Sequence, residues 1–490
     1  MQGEGNGSRE RRYGLKQSEL ETEIGKEFEK VQLGDKRLKK RLKELVKACS
    51  ANPGEAFPQV LPRAKELKGA YRFFKNERVT YGALMAAHRE QTKERAGQQG
   101  RVIVVHDTTE MVFQGQSPRR GLGKLRGKAQ GFLVHFSLAV SGDGLRRPLG
   151  SLGWEPWVRR ELGRSKQEGK KVSGSEYAKR TEKESTRWGR LIDQVNQTLG
   201  PGIEVIHVMD READSYALFA HMIEQQSRFV VRLAHDRVTA QVGKGVVEKL
   251  RAQLARAEGV VQVSIPVAER KATSMPRSAR AFGPRASRIA TVHLSSTPVQ
   301  LRRPPAVKTG PKWLAVQVVR AWEVDCPCGQ KPIEWVLLTT EPVSTPHDLL
   351  SVMNLYRTRW LIEEFFKALK TGCALEKRQL ESYPALLNAL ALFVPVAWQM
   401  LLLRHLAHNA PETPADHVLT EPQLQVLRAC SPVRLSESPT VQQAFYAVAA
   451  LGGHLKHNGQ PGWFVLGRGM QQLLLLERGW SAAQRATKPP

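Results

Sequence analysis

Three carboxylates far apart in the chain carry the chemistry that this sequence suggests. Asp107 closes the run Arg101-Val-Ile-Val-Val-His-Asp107, and Asp210 closes Ile203-Glu-Val-Ile-His-Val-Met-Asp210. Both runs have the apolar, β-branched composition of buried strands. The pattern therefore predicts an aspartate at the end of each strand, at the rim where ligands of α/β sheets gather. Either aspartate alone would also suit a turn former or a helix cap. Glu363, in the segment 354–370, is the third. Three carboxylates without a partnering Cys/His cluster suit a hard, oxygen-seeking cation such as Mg²⁺ or Mn²⁺. Two such ions about 4 Å apart can support an in-line phosphoryl displacement.

Segment 354–370 reads Asn-Leu-Tyr-Arg-Thr-Arg-Trp-Leu-Ile-Glu-Glu-Phe-Phe-Lys-Ala-Leu-Lys. Wound as one helix at about 100° per residue, it places Tyr356, Arg359, Glu363 and Lys370 within an arc of roughly 60°. Leu361, Ile362, Phe365 and Leu369 fall on the opposite side and would face a core. The polar stripe sets one carboxylate among two cations and a phenol, a grouping that suits a metal ligand beside groups that grip a phosphate. Arg359–Glu363 and Glu363–Lys367 are also ordinary helix ion-pair spacings, so a solvated face is the alternative reading of this helix alone.

These segments resemble the DDE transposases of the bacterial insertion-sequence-four family, the group to which the transposon Tn-five transposase belongs. The resemblance rests on His-Asp-Thr-Thr at 106–109, Asp-Arg-Glu-Ala-Asp at 210–214, and the spacing Tyr356, Arg359, Glu363, Lys370, continuing as Lys-Thr-Gly at 370–372. Outlying matches are Leu-Gly-Asp-Lys-Arg at 33–37, Gly-Ala-Tyr-Arg-Phe at 69–73, Gly-Lys-Leu at 123–125 and Trp-Val-Leu-Leu-Thr-Thr-Glu-Pro at 335–342. The resemblance implies that Asp107, Asp210 and Glu363 form a triad holding Mg²⁺ or Mn²⁺, two ions per site. It implies that Tyr356, Arg359 and Lys370 hold terminal DNA phosphates, with Arg232 nearby. Trp335, which also reads as a core residue of its strand, would accommodate a flipped base, and Trp360 could contribute. The implied reaction is cut-and-paste transposition: hydrolysis of one strand at the transposon end, hairpin formation, hairpin opening, and joining of the 3′ end to target DNA. A transposase-derived DNA-binding regulator and a nuclease of the same fold without strand transfer are the alternatives.

Composition agrees with a polyanionic partner. Lys and Arg number 75 against 47 Asp and Glu, a net +28, which favours double-stranded DNA with salt-sensitive affinity. Residues 385–403 carry no charge over about the length of a membrane span, but Asn388, Pro395 and Gln399 interrupt them, so the expectation is a core helix and no membrane association. The polar start (Met1 to Arg12) has no apolar signal region, and five cysteines suit a reducing compartment. Together with the resemblance, these point to a bacterial cytoplasmic, nucleoid-associated protein. Cys326 and Cys328 lack a second ligand pair and read as chance rather than zinc.

The elements that must position the triad follow. The expected fold class is α/β, with a ribonuclease-H-like catalytic core at 96–390, a β-rich insertion at about 236–340, a helical N-terminal DNA-binding domain at 1–95 and a helical C-terminal domain at 391–490. Before 95, Asp35–Lys47 reads as a basic amphipathic helix with Leu38, Leu42, Leu45 and Val46 inward; Arg37, Lys40 and Arg41 are its candidate DNA contacts. A β-ribbon at 131–140 and 147–157 turns at 141–144. Helices are expected at 184–199 and 215–226, and strands at 228–232, 260–267, 288–301 and 313–324. The basic loop 270–285 suits mobility or DNA binding. Leucine-rich helical patterns at 421–429, 441–456 and 469–478 close the chain. Ala-Leu-Gly-Gly-His-Leu at 450–455 resembles the family's carboxy-terminal dimerisation region, which implies a homodimer in a synaptic complex.

Overall fold

The computed structural model describes residues 24–51, 53–115, 117–125, 129–159, 186–241, 246–267, 269, 285–455, 457 and 459–486. The loop 270–284 and the tail before 24 lie outside them.

Helix α1 (Lys36–Ala51) buries Leu42, Leu45 and Val46, with Leu38 half-buried, as its apolar stripe predicts. A short α2 (Phe57–Val60), α3 (Ala64–Lys75) and α4 (Tyr81–Gly97) follow. Thr80 caps α4 by accepting from the Ala83 amide at 3.2 Å, a contact of about 1 kcal/mol in such caps. Behind α4 lies Glu27, buried against two partners. Its carboxylate accepts from Arg95 Nη1 at 2.6 Å and meets His88 Nδ1 at 2.5 Å. His88 Nε2 accepts from the Ser151 amide at 3.0 Å, which fixes the proton on Nδ1. Burial would raise the Glu27 carboxyl, but Arg95 and His88 outweigh it and bring it down to about 2.

Strands β1 (Arg101–Phe113), β3 (Gln130–Ser141) and β4 (Pro148–Trp157) form an antiparallel meander, with the two-residue β2 (Gly123–Lys124) at its edge. After α5 (Thr186–Leu199), β5 (Glu204–Met209) joins β1 in parallel. Helix α6 (Tyr216–Glu224) then leads to β6 (Arg228–Arg232), parallel to β5. The next stretch does not form a separate layer: β7 (Val238–Gln241), β8 (Val247–Lys249), α7 (Leu250–Ala255), β9 (Val261–Val267), β10 (Arg288–Arg302), β11 (Trp313–Val324) and β12 (Glu334–Thr339) extend the same sheet. Beyond β6 its order runs β12-β11-β10-β7-β8, with β9 also on β10, giving twelve strands in all.

Helix α8 (Pro346–Thr358) starts on a capping box at Thr345 and Asp348. It gives way at Arg359 to α9 (Trp360–Lys367), and Ala368–Gly372 closes as a π-helical turn. Segment 354–370 is therefore not the single regular helix its periodicity suggests. Around Arg359 the amides reach back three residues (Arg359 to Tyr356, Ile362 to Arg359) rather than four, which tightens the winding at that point.

Helix α10 (Tyr383–Asn409) is the only element among the described residues long and apolar enough to cross a membrane, and its apolar window is entirely buried. It is the core helix expected from its polar interruptions: Asn388 donates to the Phe74 and Val79 carbonyls, and Trp398 Nε1 to the Pro148 carbonyl at 2.9 Å. Helices α11 (Glu421–Cys430), α12 (Val441–Leu451) and α13 (Trp463–Ala486) complete the chain. One apolar core runs from Ile24 through the β1–β3 meander and α10 to Leu474, so residues before 95, the sheet and residues after 391 share packing. Helix α13 lies against α1, α11, α12 and the π-turn. Its Gly467 abuts Gly372, and its Gly469 abuts the Val448 carbonyl, leaving no room for a Cβ at either position.

Candidate active site

The site forms where β1 loses one neighbour. Asp107 does not end its strand, as the sequence suggested; it sits in mid-strand, paired with Phe136 of β3. The parallel pairing with β5 stops at Val105–Val208, however, so one flank of β1 is open at Asp107. Alternation along the strand turns Asp107 to the face packed against α9, and His106 and Thr108 to the other. Asp210 does follow its strand. It caps the short turn Arg211–Ala213, its Oδ1 accepting from the Glu212 amide at 2.8 Å.

Arg359 joins the distant pieces. Its Nη1 donates to Asp107 Oδ2 at 3.1 Å, and its Nη2 pairs with Glu363 Oε1. The tightened winding at 359 gives one guanidinium both carboxylates, one on β1 and one on α9. Asp107 also accepts from the Thr108 amide at 2.8 Å. Even so, burial, the charge of Asp210 and that of Glu212 push the Asp107 carboxyl up to about 7 against Arg359. Burial would lower the Arg359 guanidinium, but Glu363, Tyr356 and Asp107 hold it above its ordinary value. The site thus carries more negative charge than its one arginine neutralises.

Of the sequence-predicted residues, Arg359 joins Asp107 and Glu363, and the charge of Asp210 acts on Asp107. Lys370 lies in the π-turn, its Nζ 3.7 Å from Glu376, whose carboxylate also accepts from the Val112 amide on β1 at 2.9 Å. Tyr356 is not on a solvated stripe: it is 7% exposed and stands edge-on to Trp335, ring centres 5.5 Å apart. Trp335 is half-buried, opening its strand as expected. Arg232 donates to the Glu334 carbonyl at 2.9 Å, holding β6 to the start of β12. Trp360 is 53% exposed, with the Lys367 ammonium over its ring. Arg37 and Lys40 are exposed on α1, but Arg41 is half-buried, paired with Glu44 at 2.9 Å and packed on Gly69 of α3. Cys326 is half-buried in a hydrogen-bonding position near Arg288, and Cys328 is exposed.

Sequence reasoning missed the layer beneath Asp107. His106 Nε2 meets His207 Nδ1 at 2.9 Å, its Nδ1 meets Ser137 Oγ at 3.0 Å, and His207 Nε2 meets Asn196 of α5 at 2.9 Å. His135 Nδ1 bonds Thr108 Oγ1 at 2.8 Å. Burial lowers all three histidines, His135 and His207 to about 3, so the layer is neutral and ties β1 to β3, β5 and α5. Its signal was in the sequence, as histidines within apolar strand runs. Asp214, the last residue of the 210–214 motif, is structural: it accepts from the Ala234 and His235 amides and pairs with Arg237.

The donors fit a hard divalent cation, being all carboxylate oxygens with surplus negative charge. Among the described residues no three His, Cys, Asp or Glu side chains stand close enough to form a ready-made cluster, Arg359 lying between Asp107 and Glu363. Carboxylates at the open edge of an α/β sheet stand where the ligands of this class of fold gather. The comparisons narrow that class. Residues 23–79 match the family model described as transposase DNA-binding, and residues 168–394 that described as transposase DDE domain. The first stretch contains Arg37, Lys40 and Arg41; the second contains Asp210 and Glu363, while Asp107 precedes it. A transposase DNA-binding domain followed by a DDE domain supports a DDE transposase. Among solved structures, the chain is similar to the cryo-EM structure of the piggyBac transposase synaptic complex with hairpin DNA, at 10% identity and a TM-score of 0.30, over 82% of this chain. The chain spans 57% of the length of that one, and a likeness of this size carries no argument about the site.

Proposed function

We propose that this protein is a cut-and-paste DNA transposase of the insertion-sequence-four type, in which Asp107, Asp210 and Glu363 are the catalytic triad. The observation that carries the reading is the bridge made by Arg359 between Asp107 and Glu363, 256 residues apart in the chain, beside Asp210. The fold reading is a ribonuclease-H-like core, supported by the β4-β3-β1 meander followed by parallel β5 and β6. Domain limits of 1–95, 96–390 and 391–490 go with it, with the insertion at about 236–340.

Asp107, Asp210 and Glu363 would hold Mg²⁺ or Mn²⁺, two ions per site, which when bound supply charge that stabilises the attacking and leaving oxygens. The chain's own residues do the rest. Arg359 occupies the carboxylates in the free protein and turns to a terminal DNA phosphate when they take up cations. Lys370, held by Glu376 at the edge of β1, adds a second phosphate contact. Tyr356 sets the position of Trp335, whose open face and the exposed Trp360 receive a base displaced from the duplex. Arg232 lines the same approach, and Arg37, Lys40 and the partly occupied Arg41 read the transposon end. Water attacks one strand. The freed 3′ hydroxyl then attacks the opposite strand to give a hairpin, and after opening the same 3′ hydroxyl joins target DNA. Each step is an in-line displacement at phosphorus, so one site serves all of them. The working assembly is a homodimer on paired DNA ends, in the bacterial cytoplasm on the nucleoid.

The test is incubation of the purified protein and Mg²⁺ with a plasmid carrying the gene's native flanks, read on denaturing gels beside Glu363→Gln. Excised DNA with hairpinned ends from the wild type alone is the expected result. End-specific binding without cleavage would point to a regulator, breaks without joined products to a nuclease, and equal cutting by Glu363→Gln would remove the triad assignment.

A further inference from the structure

A cavity of about 780 Å³ opens beside the turn that starts at Asp210. Its walls come from that turn, the start of α6, the loop after β6, and the end of β10 with the turn beyond it; no residue of α8 or α9 lines it. Glu212, one of its lining residues, donates its amide to Asp210 Oδ1 at 2.8 Å, so the cavity adjoins the carboxylate site.

Its charges divide unequally. On the floor, Asp214 is satisfied: it accepts from the Ala234 amide at 2.7 Å, the His235 amide at 2.8 Å and Arg237 Nε at 2.8 Å, and the pair is buried. It presents no bare charge to an occupant. The rim carries three cations, Lys249, Arg302 and Arg303, against the carboxylates of Asp236 and Glu212, and none of the three is in an ion pair among the described residues. Arg303 Nη1 donates to the Gly310 carbonyl and Lys249 Nζ to the Asp236 carbonyl, both uncharged acceptors. Arg302 is exposed and, among the described residues, has no ionic partner. Pro304 and Pro305 supply an apolar edge next to these cations. A cavity of this size takes a ligand of nucleotide dimensions, and cations beside an apolar edge suit alternating phosphate and sugar.

An in-line transfer brings two strands to one site, one bearing the attacking oxygen and one the leaving oxygen. Neither Arg359 nor Lys370 lines this cavity. We propose that the cavity seats the phosphodiester backbone of the second DNA segment, the one lying beyond the transposon end, with its phosphates on Arg302, Arg303 and Lys249. This rests on the transposase reading above. The second segment is either the flanking donor DNA before cleavage or the target DNA at joining, and the two share this backbone chemistry.

The test measures binding of the full-length protein to three fluorescent DNAs: a native end terminating at the cut, the same end with its flank, and, for the complex preformed on cut ends, a target duplex. Arg302→Ala/Arg303→Ala is compared with the wild type and with Arg302→Lys/Arg303→Lys, which keeps both charges and controls for folding. The alanine pair should bind the cut end as the wild type does. It should bind the flanked end or the target about tenfold more weakly, with a slope of log K against log salt shallower by roughly 2. Loss confined to the flanked end assigns the cavity to donor flank, and loss confined to the target assigns it to target DNA. An equal loss on the cut end, or no loss on any DNA, overturns the proposal while leaving the transposase reading intact. A wild type that binds no end at all would sink that reading, and the proposal with it.

Discussion

Glu27 and Asp107 are both buried carboxylates, each paired with an arginine, and their environments drive them in opposite directions. Glu27 has Arg95 and His88 to itself and is held near 2. Asp107 shares Arg359 with Glu363 and faces the charges of Asp210 and Glu212, and it rises to about 7. Burial penalises both, so the difference lies in how well the partners match the charge. A carboxylate with matched partners serves the fold, whereas a set with more negative charge than its cations neutralise is organised for something that arrives later. Adjacent Glu363 and Glu364 repeat the contrast within one turn. Glu364 meets Lys367, Arg404 and Trp463 Nε1 and ties α9 to α13, while among the described residues Glu363 pairs with Arg359 alone.

The comparison is broken most directly by neutralising each carboxylate in turn. Asp107→Asn should lower DNA cleavage by at least about 10³-fold, the several kcal/mol that a held metal ion contributes, with thermal stability unchanged or raised. A parallel loss of melting temperature would place Asp107 with the structural carboxylates. Glu27→Ala should do the reverse, costing about 3–5 kcal/mol in denaturant unfolding because it strands Arg95 in a buried site, while any protein that remains folded cleaves normally.

Divalent cation sharpens the contrast next. Mg²⁺ at saturating concentration should raise the melting temperature of the wild type and of Glu27→Gln, with no rise in Asp107→Asn, because a ligand stabilises only the state that binds it. The smallest effect is in pH. The Glu27 carboxyl is depressed when folded, so its contribution is present above its unfolded value near 4.5 and is lost as pH falls toward 2. Unfolding of the wild type followed between pH 5 and 3 should therefore show a steeper loss than that of Glu27→Gln, and identical slopes would contradict the matched pairing.

Much of this arrangement was legible in the sequence because it rests on local pattern. The apolar run ending at Met209 formed β5 with Asp210 just beyond it, and strand 228–232 appeared at its expected limits. The charge-free run around 385–403 is a core helix, in which Asn388 and Trp398 donate to backbone carbonyls. Three features of the site were not legible. Asp107 looked like a strand end because the apolar run stops there, yet antiparallel pairing with β3 carries the backbone on to Phe113. The change of winding at Arg359 involves no Gly or Pro. It coincides with the residue whose guanidinium reaches two carboxylates, one of them on β1, a tertiary contact that helical periodicity does not register. The same periodicity puts Tyr356 on the polar stripe, whereas packing on Trp335 buries it.

The glycine contact between α13 and the π-turn has a practical consequence for anyone altering the carboxy terminus. Gly467 touches Gly372, two residues past Lys370, and Trp463 of the same helix holds Glu364, next to Glu363. Tags, truncations or fusions that tug on α13 therefore pull on a lever whose short arm ends beside Glu363 and the carboxylate site. Such a handle offers a way to tune the enzyme without touching a residue that meets DNA.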